Sequence, residues 1–136
     1  APNGLDNFLR ILGVHWLLRM AGRHRARSST PRLRLSFEGD RCRVFRTIFT
    51  GAISHQEFVL GGTAQSQSFG ATGMSGAARA FWDGQVLVVH VDMDSGAELV
   101  IRRWIEDAQL TESLSARRGH EQAEVRQAYW PSPEGA

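Results

Sequence analysis

The feature that most constrains this chain is a succession of short segments, filling nearly everything after Pro31, in which apolar and polar residues alternate. Leu33, Leu35 and Phe37 alternate with Arg32, Arg34 and Ser36, and a side-chain period of two marks a strand with one buried face. Glu38-Gly39-Asp40 interrupts the pattern before Cys42 to Ile48, so the first two segments predict a hairpin. Further runs follow at Ile53–Leu60, Thr63–Phe69, Ala77–Trp82, Gln85–Val91, Ala97–Glu106, Gln109–Ala116 and Gln122–Trp130, which makes nine strands. The separators are turn-like: Gly61-Gly62, residues 70–76, Asp83-Gly84, residues 92–96, Asp107-Ala108 and residues 117–120. Nine short antiparallel strands imply an all-β barrel or sandwich. Closure into a barrel would remove exposed edges and leave room for one small ligand. The run Thr63-Ala64-Gln65-Ser66-Gln67-Ser68 has almost no apolar face, as expected of a strand beside a water-containing cavity or of an exposed edge.

Ahead of the strands the period changes. Leu5, Phe8, Leu9, Ile11 and Leu12 recur at three- and four-residue spacing, with Asn3 or Asp6 as N-cap and Gly13 at the position of a C-terminal cap. Val14, Trp16, Leu17, Leu18, Met20 and Ala21 continue to Gly22, so residues 3–22 predict a helix-turn-helix. Residues 23–31 form a basic loop and 131–136 a tail, and the 136 residues fit a single domain. With 42% hydrophobic residues the chain can bury a core. Its longest uninterrupted apolar run is only a few residues, as in Val86-Leu87-Val88-Val89, far below the roughly 20 residues of a membrane-spanning helix. Cys42 is the single cysteine and no Cys/His spacing resembles a zinc site, so no metal or other cofactor is expected and a reducing, cytoplasmic setting fits. Ala1-Pro2-Asn3 does not read as a signal peptide. Every one of the 16 basic residues is arginine.

Several strings, in this order, resemble the intracellular lipid-binding protein family of fatty-acid-binding and cellular retinoid-binding proteins. Leu5-Asp6-Asn7-Phe8-Leu9-Arg10-Ile11-Leu12-Gly13-Val14 is similar to the family's helix-turn segment, and Leu18-Arg19-Met20-Ala21 to the start of its second helix. Glu38-Gly39-Asp40 with Phe45-Arg46-Thr47 resembles the next hairpin, Trp82-Asp83-Gly84 a later one, and Arg103-Trp104-Ile105-Glu106 the retinoid-binding branch. The resemblance spans about residues 3–130. It implies an antiparallel up-and-down β-barrel with an N-terminal helix-turn-helix lid, and non-catalytic binding and transport of a fatty acid or retinoid. Three departures stand out. The family's first strand, a Phe-x-Gly-x-Trp segment, does not precede the helices, which would leave one strand fewer and an unclosed gap. The basic loop is longer than the family's connection. Gly51 falls where an aromatic portal residue is common.

The family holds a buried head group with polar residues on two late strands, the last carrying Arg-x-Tyr. Aligned on the aromatic, Val125-Arg126-Gln127-Ala128-Tyr129 puts Gln127 in the arginine position and Tyr129 in the tyrosine position, with Arg126 pointing outward. On the earlier strand, Arg103 stands where retinol binders use glutamine and carboxylate binders use arginine. A ligand carboxylate would offset the desolvation of a cavity arginine, so Arg103, assisted by Gln127 and Tyr129, is the expected head-group site. The alternative is that Arg103 pairs with Glu112 or another carboxylate. Leu99, Ile101 and Ile105 are expected to share the face of Arg103. Ile101, Phe8 and Leu5 are candidate tail contacts, and His90 reads as a buried neutral histidine.

Two other classes compete. Arg19, Arg23, Arg25, Arg27, Arg32 and Arg34 could bind nucleic acid or an anionic membrane surface, although few aromatics are interleaved for base stacking, so no specific nucleic acid is expected. An enzyme on the barrel would need a nucleophile with a positioned base, and no Gly-x-Ser-x-Gly, phosphate loop or Cys/His pairing is present.

Overall fold

The computed structural model describes residues 32–47, 53–68 and 75–130, together with Phe8, Arg10 and Ile11. Within these lie nine strands: β1 (Leu33–Glu38), β2 (Arg41–Thr47), β3 (Ile53–Val59), β4 (Gln65–Ser68), β5 (Ser75–Asp83), β6 (Val86–Met93), β7 (Glu98–Glu106), β8 (Gln109–Arg118) and β9 (Glu121–Tyr129). They form a three-stranded sheet β1-β2-β3 and a six-stranded sheet β4-β5-β6-β7-β8-β9. Every ladder is antiparallel between strands consecutive in the chain, as short turns between alternating segments require.

The alternation that predicted the strands also sorts their faces. Cys42 and Val44 of β2, Phe58 of β3, Ala78 and Ala80 of β5, Leu87, Val89, Val91 and Met93 of β6, and Leu99 and Ile101 of β7 are buried in one cluster. Phe8 and Ile11 join it. Two sheets therefore bury their inner faces against a common apolar interior, the main favourable contribution to folding.

The closed barrel expected from the sequence is not what the described residues form. Among them no ladder joins β3 to β4 or β9 to β1. At the first break Gly61, with φ +74°, turns the chain away. The sheets are linked there by a parallel bridge between Leu60 and Ala80, by Gly61 N–H donating to the Ala80 carbonyl at 2.8 Å, and by Gln67 Nε2 donating to the Glu57 carbonyl at 2.8 Å. A side-chain amide thus does what a backbone ladder would do in a continuous sheet. The predicted helix-turn-helix, with Leu5, lies outside the described residues except for Phe8, Arg10 and Ile11, which are helical. The basic loop 23–31, Gly51 and the tail 131–136 also lie outside them.

The turn between β7 and β8 carries a local cost. Glu106 pairs with Gln109, and the two loop residues Asp107 and Ala108 have φ of 51° and 63°, the double positive φ of a type I′ turn. Asp tolerates that region, whereas the alanine Cβ meets its own backbone there. Ala108→Gly is expected to stabilise the protein by about 0.5 kcal/mol, the relief of strain being partly offset by a freer unfolded chain. Calorimetry would show a higher melting temperature. A lower one would contradict this reading of the turn.

Candidate functional site

The interior holds a cluster of charge assembled from both sheets. On β2 the inner positions run Cys42, Val44, Arg46. On β7 they run Leu99, Ile101, Arg103, and on β9 Val125, Gln127, Tyr129. Glu112 of β8 pairs in register with Arg103 on one side and Gln127 on the other, so cross-strand register alone brings these three side chains onto one face. Arg103 is 3% exposed and Glu112 0%. Arg46 comes from the other sheet.

Glu112 is the hub. Arg103 Nε donates to its Oε2 at 2.8 Å, and Arg46 Nη2 donates to the same oxygen. The Tyr129 hydroxyl lies 3.2 Å from Glu112 Oε1 and 2.6 Å from Gln127 Oε1. Its single proton serves one of these acceptors at a time. Two guanidinium groups and one carboxylate sum to one positive charge. Among the described residues Arg103 Nη1 is buried and has no hydrogen-bond partner. A buried donor left in this state is costly unless something else accepts from it.

Electrostatics follow the geometry. For Glu112, burial disfavours the charged form, but attraction from Arg46 and Arg103 outweighs it and holds the carboxyl below the ordinary glutamate value. For Arg103, burial dominates and lowers its pKa despite Glu112. Arg46 is buried less completely, with its side chain a quarter exposed. There the opposing effect of burial is overcome by Glu112 and Tyr129, and the pKa rises. Burial, followed by the charge on Glu112, pushes the Tyr129 hydroxyl up to about 12. Tyr129 is therefore a donor throughout the physiological range.

Arg103, Gln127 and Tyr129, anticipated on the inner face, lie together there around Glu112, with Ile101 buried one inward position away on β7. Arg103 makes the ion pair with Glu112 that stood as the alternative to a free head-group site. Phe8 is buried in the apolar cluster. Ile105, expected on the face of Arg103, is instead 72% exposed, because it stands at the end of β7 beside the turn. His90 does not lie in the core. It is partly buried on the outer face of β6, where Nε2 lies 3.4 Å from Glu98 Oε2. Arg126 is exposed, its guanidinium 5.4 Å from the Trp104 ring centroid and its Nε 3.0 Å from Glu124 Oε1.

Arg46 was missed by sequence reasoning. The signal was available in the alternation Cys42, Val44, Arg46, whose phase puts the arginine inward.

No protein-family profile matches the sequence and no curated protein does so. Solved structures do match. The REP1-NXSQ fatty acid transporter is similar over 96% of this chain and 90% of its own, at 17% identity and a TM-score of 0.77. Fatty-acid-binding protein 1 of Echinococcus granulosus matches over 95% and 90%, at 19% identity and a TM-score of 0.77. A fatty-acid-binding protein of Schistosoma mansoni, solved with arachidonic acid, matches over 93% and 87%, at 18% identity and a TM-score of 0.73. Identities this low speak for the path of the backbone. The chain has the fold of the intracellular lipid-binding proteins.

Proposed function

We propose that the chain binds and carries a small hydrophobic acid, a fatty acid or a retinoid, between its sheets without changing it chemically. The observation that carries this reading is the buried Arg103 Nη1 without an acceptor, in a cluster with one positive charge to spare. A ligand carboxylate supplies both the acceptor and the missing negative charge, and a charge-assisted hydrogen bond in such surroundings is among the stronger polar contacts. Gln127 and Tyr129 complete the head-group site. Ile101, Phe8 and Leu5 contact the tail. Fold neighbours that are fatty-acid-binding proteins support the same reading. Affinity comes mainly from the tail: at ~0.8 kcal/mol per buried CH₂, a chain of about sixteen carbons gains up to roughly 12 kcal/mol before the entropic cost of binding.

The competing reading, arginine-mediated binding of nucleic acid or an anionic membrane, relies chiefly on residues 19–31, outside the described ones. Of the neighbouring arginines, Arg41 and Arg43 face Glu57 at 3.0 and 3.7 Å, and Arg34 lies 4.5 Å from the centroid of the Phe45 ring. These contacts favour a ligand inside the fold over a polyanion outside it.

Native mass spectrometry followed by organic extraction tests the proposal directly. One bound species of fatty-acid or retinoid mass is expected. In titrations with a fatty acid and the alcohol of the same chain, Arg103→Ala is expected to weaken the acid by about tenfold or more and the alcohol much less. Equal binding of both ligands by parent and variant would end the head-group assignment. Failure of the parent to take up either ligand would end the carrier reading.

A further inference from the structure

Glu112 distinguishes this interior from a plain pair of cationic head-group anchors. It is fully buried, and a single oxygen, Oε2, accepts from an arginine on each sheet. The Nε of Arg103 is committed to that oxygen, while its Nη1 has no acceptor. We propose that Glu112 sets which charge of ligand the site accepts. By giving the chain's own carboxylate to Arg46 and Arg103 it leaves one net positive charge, and so selects a monoanionic head group over a neutral or a doubly charged one. The inference rests on the hydrophobic-acid reading above and deepens it.

Charge balance governs a poorly solvated interior, where an uncompensated charge costs far more than at the surface. A monoanion accepting from Arg103 Nη1 brings the sum to zero. An alcohol offers an acceptor oxygen but leaves the positive charge standing. A head group with two carboxylates overshoots and sets its second charge against Glu112. Selectivity of this kind needs a repulsive element as well as an attractive one, and Glu112 provides it.

Substitution shifts the sum one charge at a time. The unaltered protein carries +1 at this cluster, E112Q +2, R46Q zero, and E112Q combined with R46Q +1 again, by counting the charges of Arg46, Arg103 and Glu112. Each protein, confirmed as folded by circular dichroism, would be titrated with hexadecanoic acid, hexadecanol and hexadecylmalonate, which share one tail. The unaltered protein is expected to prefer the monoacid. R46Q is expected to lose about tenfold or more of its preference for acid over alcohol, and E112Q to gain about tenfold or more for the malonate over the monoacid. The double variant should return to the original order.

Unchanged ratios in folded E112Q and R46Q would overturn the role of Glu112 while leaving lipid binding intact. If the unaltered protein binds none of the three, the carrier reading and this inference fall together. Should E112Q not fold, R46Q decides alone, since the Arg46 side chain is a quarter exposed and Glu112 keeps Arg103 as its counter-ion when Arg46 is lost: a lost acid preference supports the inference and a retained one overturns it.

Discussion

Glu112→Ala is expected to lower the unfolding free energy by about 3–5 kcal/mol, the usual cost of removing one partner from a buried ion pair. The carboxylate has no exposed surface and accepts from both Arg46 and Arg103. Its removal leaves two like charges facing each other in the interior with nothing between them. Urea denaturation would show a lower midpoint with an unchanged slope. A loss below about 1 kcal/mol would mean that water or local rearrangement solvates the arginines. A companion variant separates stability from use: with Arg46 and Arg103 changed to methionine and Glu112 to leucine, stability should return to near the parent value, while the preference for acids disappears. A buried charge network that can be replaced without loss of stability is retained for something other than stability.

Acid titration should produce a related loss without any mutation. Burial works to raise the pKa of Glu112, but Arg46 and Arg103 outweigh it, so the folded value lies below the ordinary 4.5. The unfolded chain therefore takes up the proton first. The contribution of Glu112 to stability is complete above the ordinary value and is lost as pH falls through the folded one. The parent melting temperature should fall steeply below about pH 4.5, and that of E112Q less so. Glu121 and Glu124 are also held low, Glu121 by hydrogen bonding to Arg10 and Glu124 by hydrogen bonding to Ser113 and Arg126. Both are surface groups whose effect salt should screen, so the comparison is best made at high ionic strength. The same acid limb in parent and E112Q would refute the assignment.

The strands were legible because their signals are local. Alternation at Leu33, Leu35 and Phe37 and the turn residues Asp107-Ala108 each act within a few residues and stand where the pattern put them, while the turn read at Asp83-Gly84 falls one residue later, at Gly84-Gln85. The arrangement of the strands into two sheets was not legible. It depends on where Leu60 meets Ala80 and on the Gln67 amide reaching the Glu57 carbonyl, contacts between residues that no short window joins. The site divides in the same way. Arg103, Gln127 and Tyr129 lie on strands with clear inner phases, and Glu112 sits between Leu110 and Leu114 in the matching phase. Arg46 looked like one more surface arginine among many, because its burial depends on the opposite sheet closing over it. Ile105 failed for the converse reason. Its phase was inward, but the cover ends before the strand does.

The ion cluster also ties together parts of the molecule that the backbone barely joins. Arg46 belongs to the three-stranded sheet, whereas Arg103, Glu112, Gln127 and Tyr129 belong to the six-stranded one. At the β3 edge the described sheets share one bridge and a few hydrogen bonds. Each leaf is thus fastened to itself by main-chain ladders, and the two leaves are clasped through their apolar faces and this one carboxylate. A ligand accepting from Arg103, as proposed, would act on this clasp, so its occupancy would be felt as a change in how readily the leaves part.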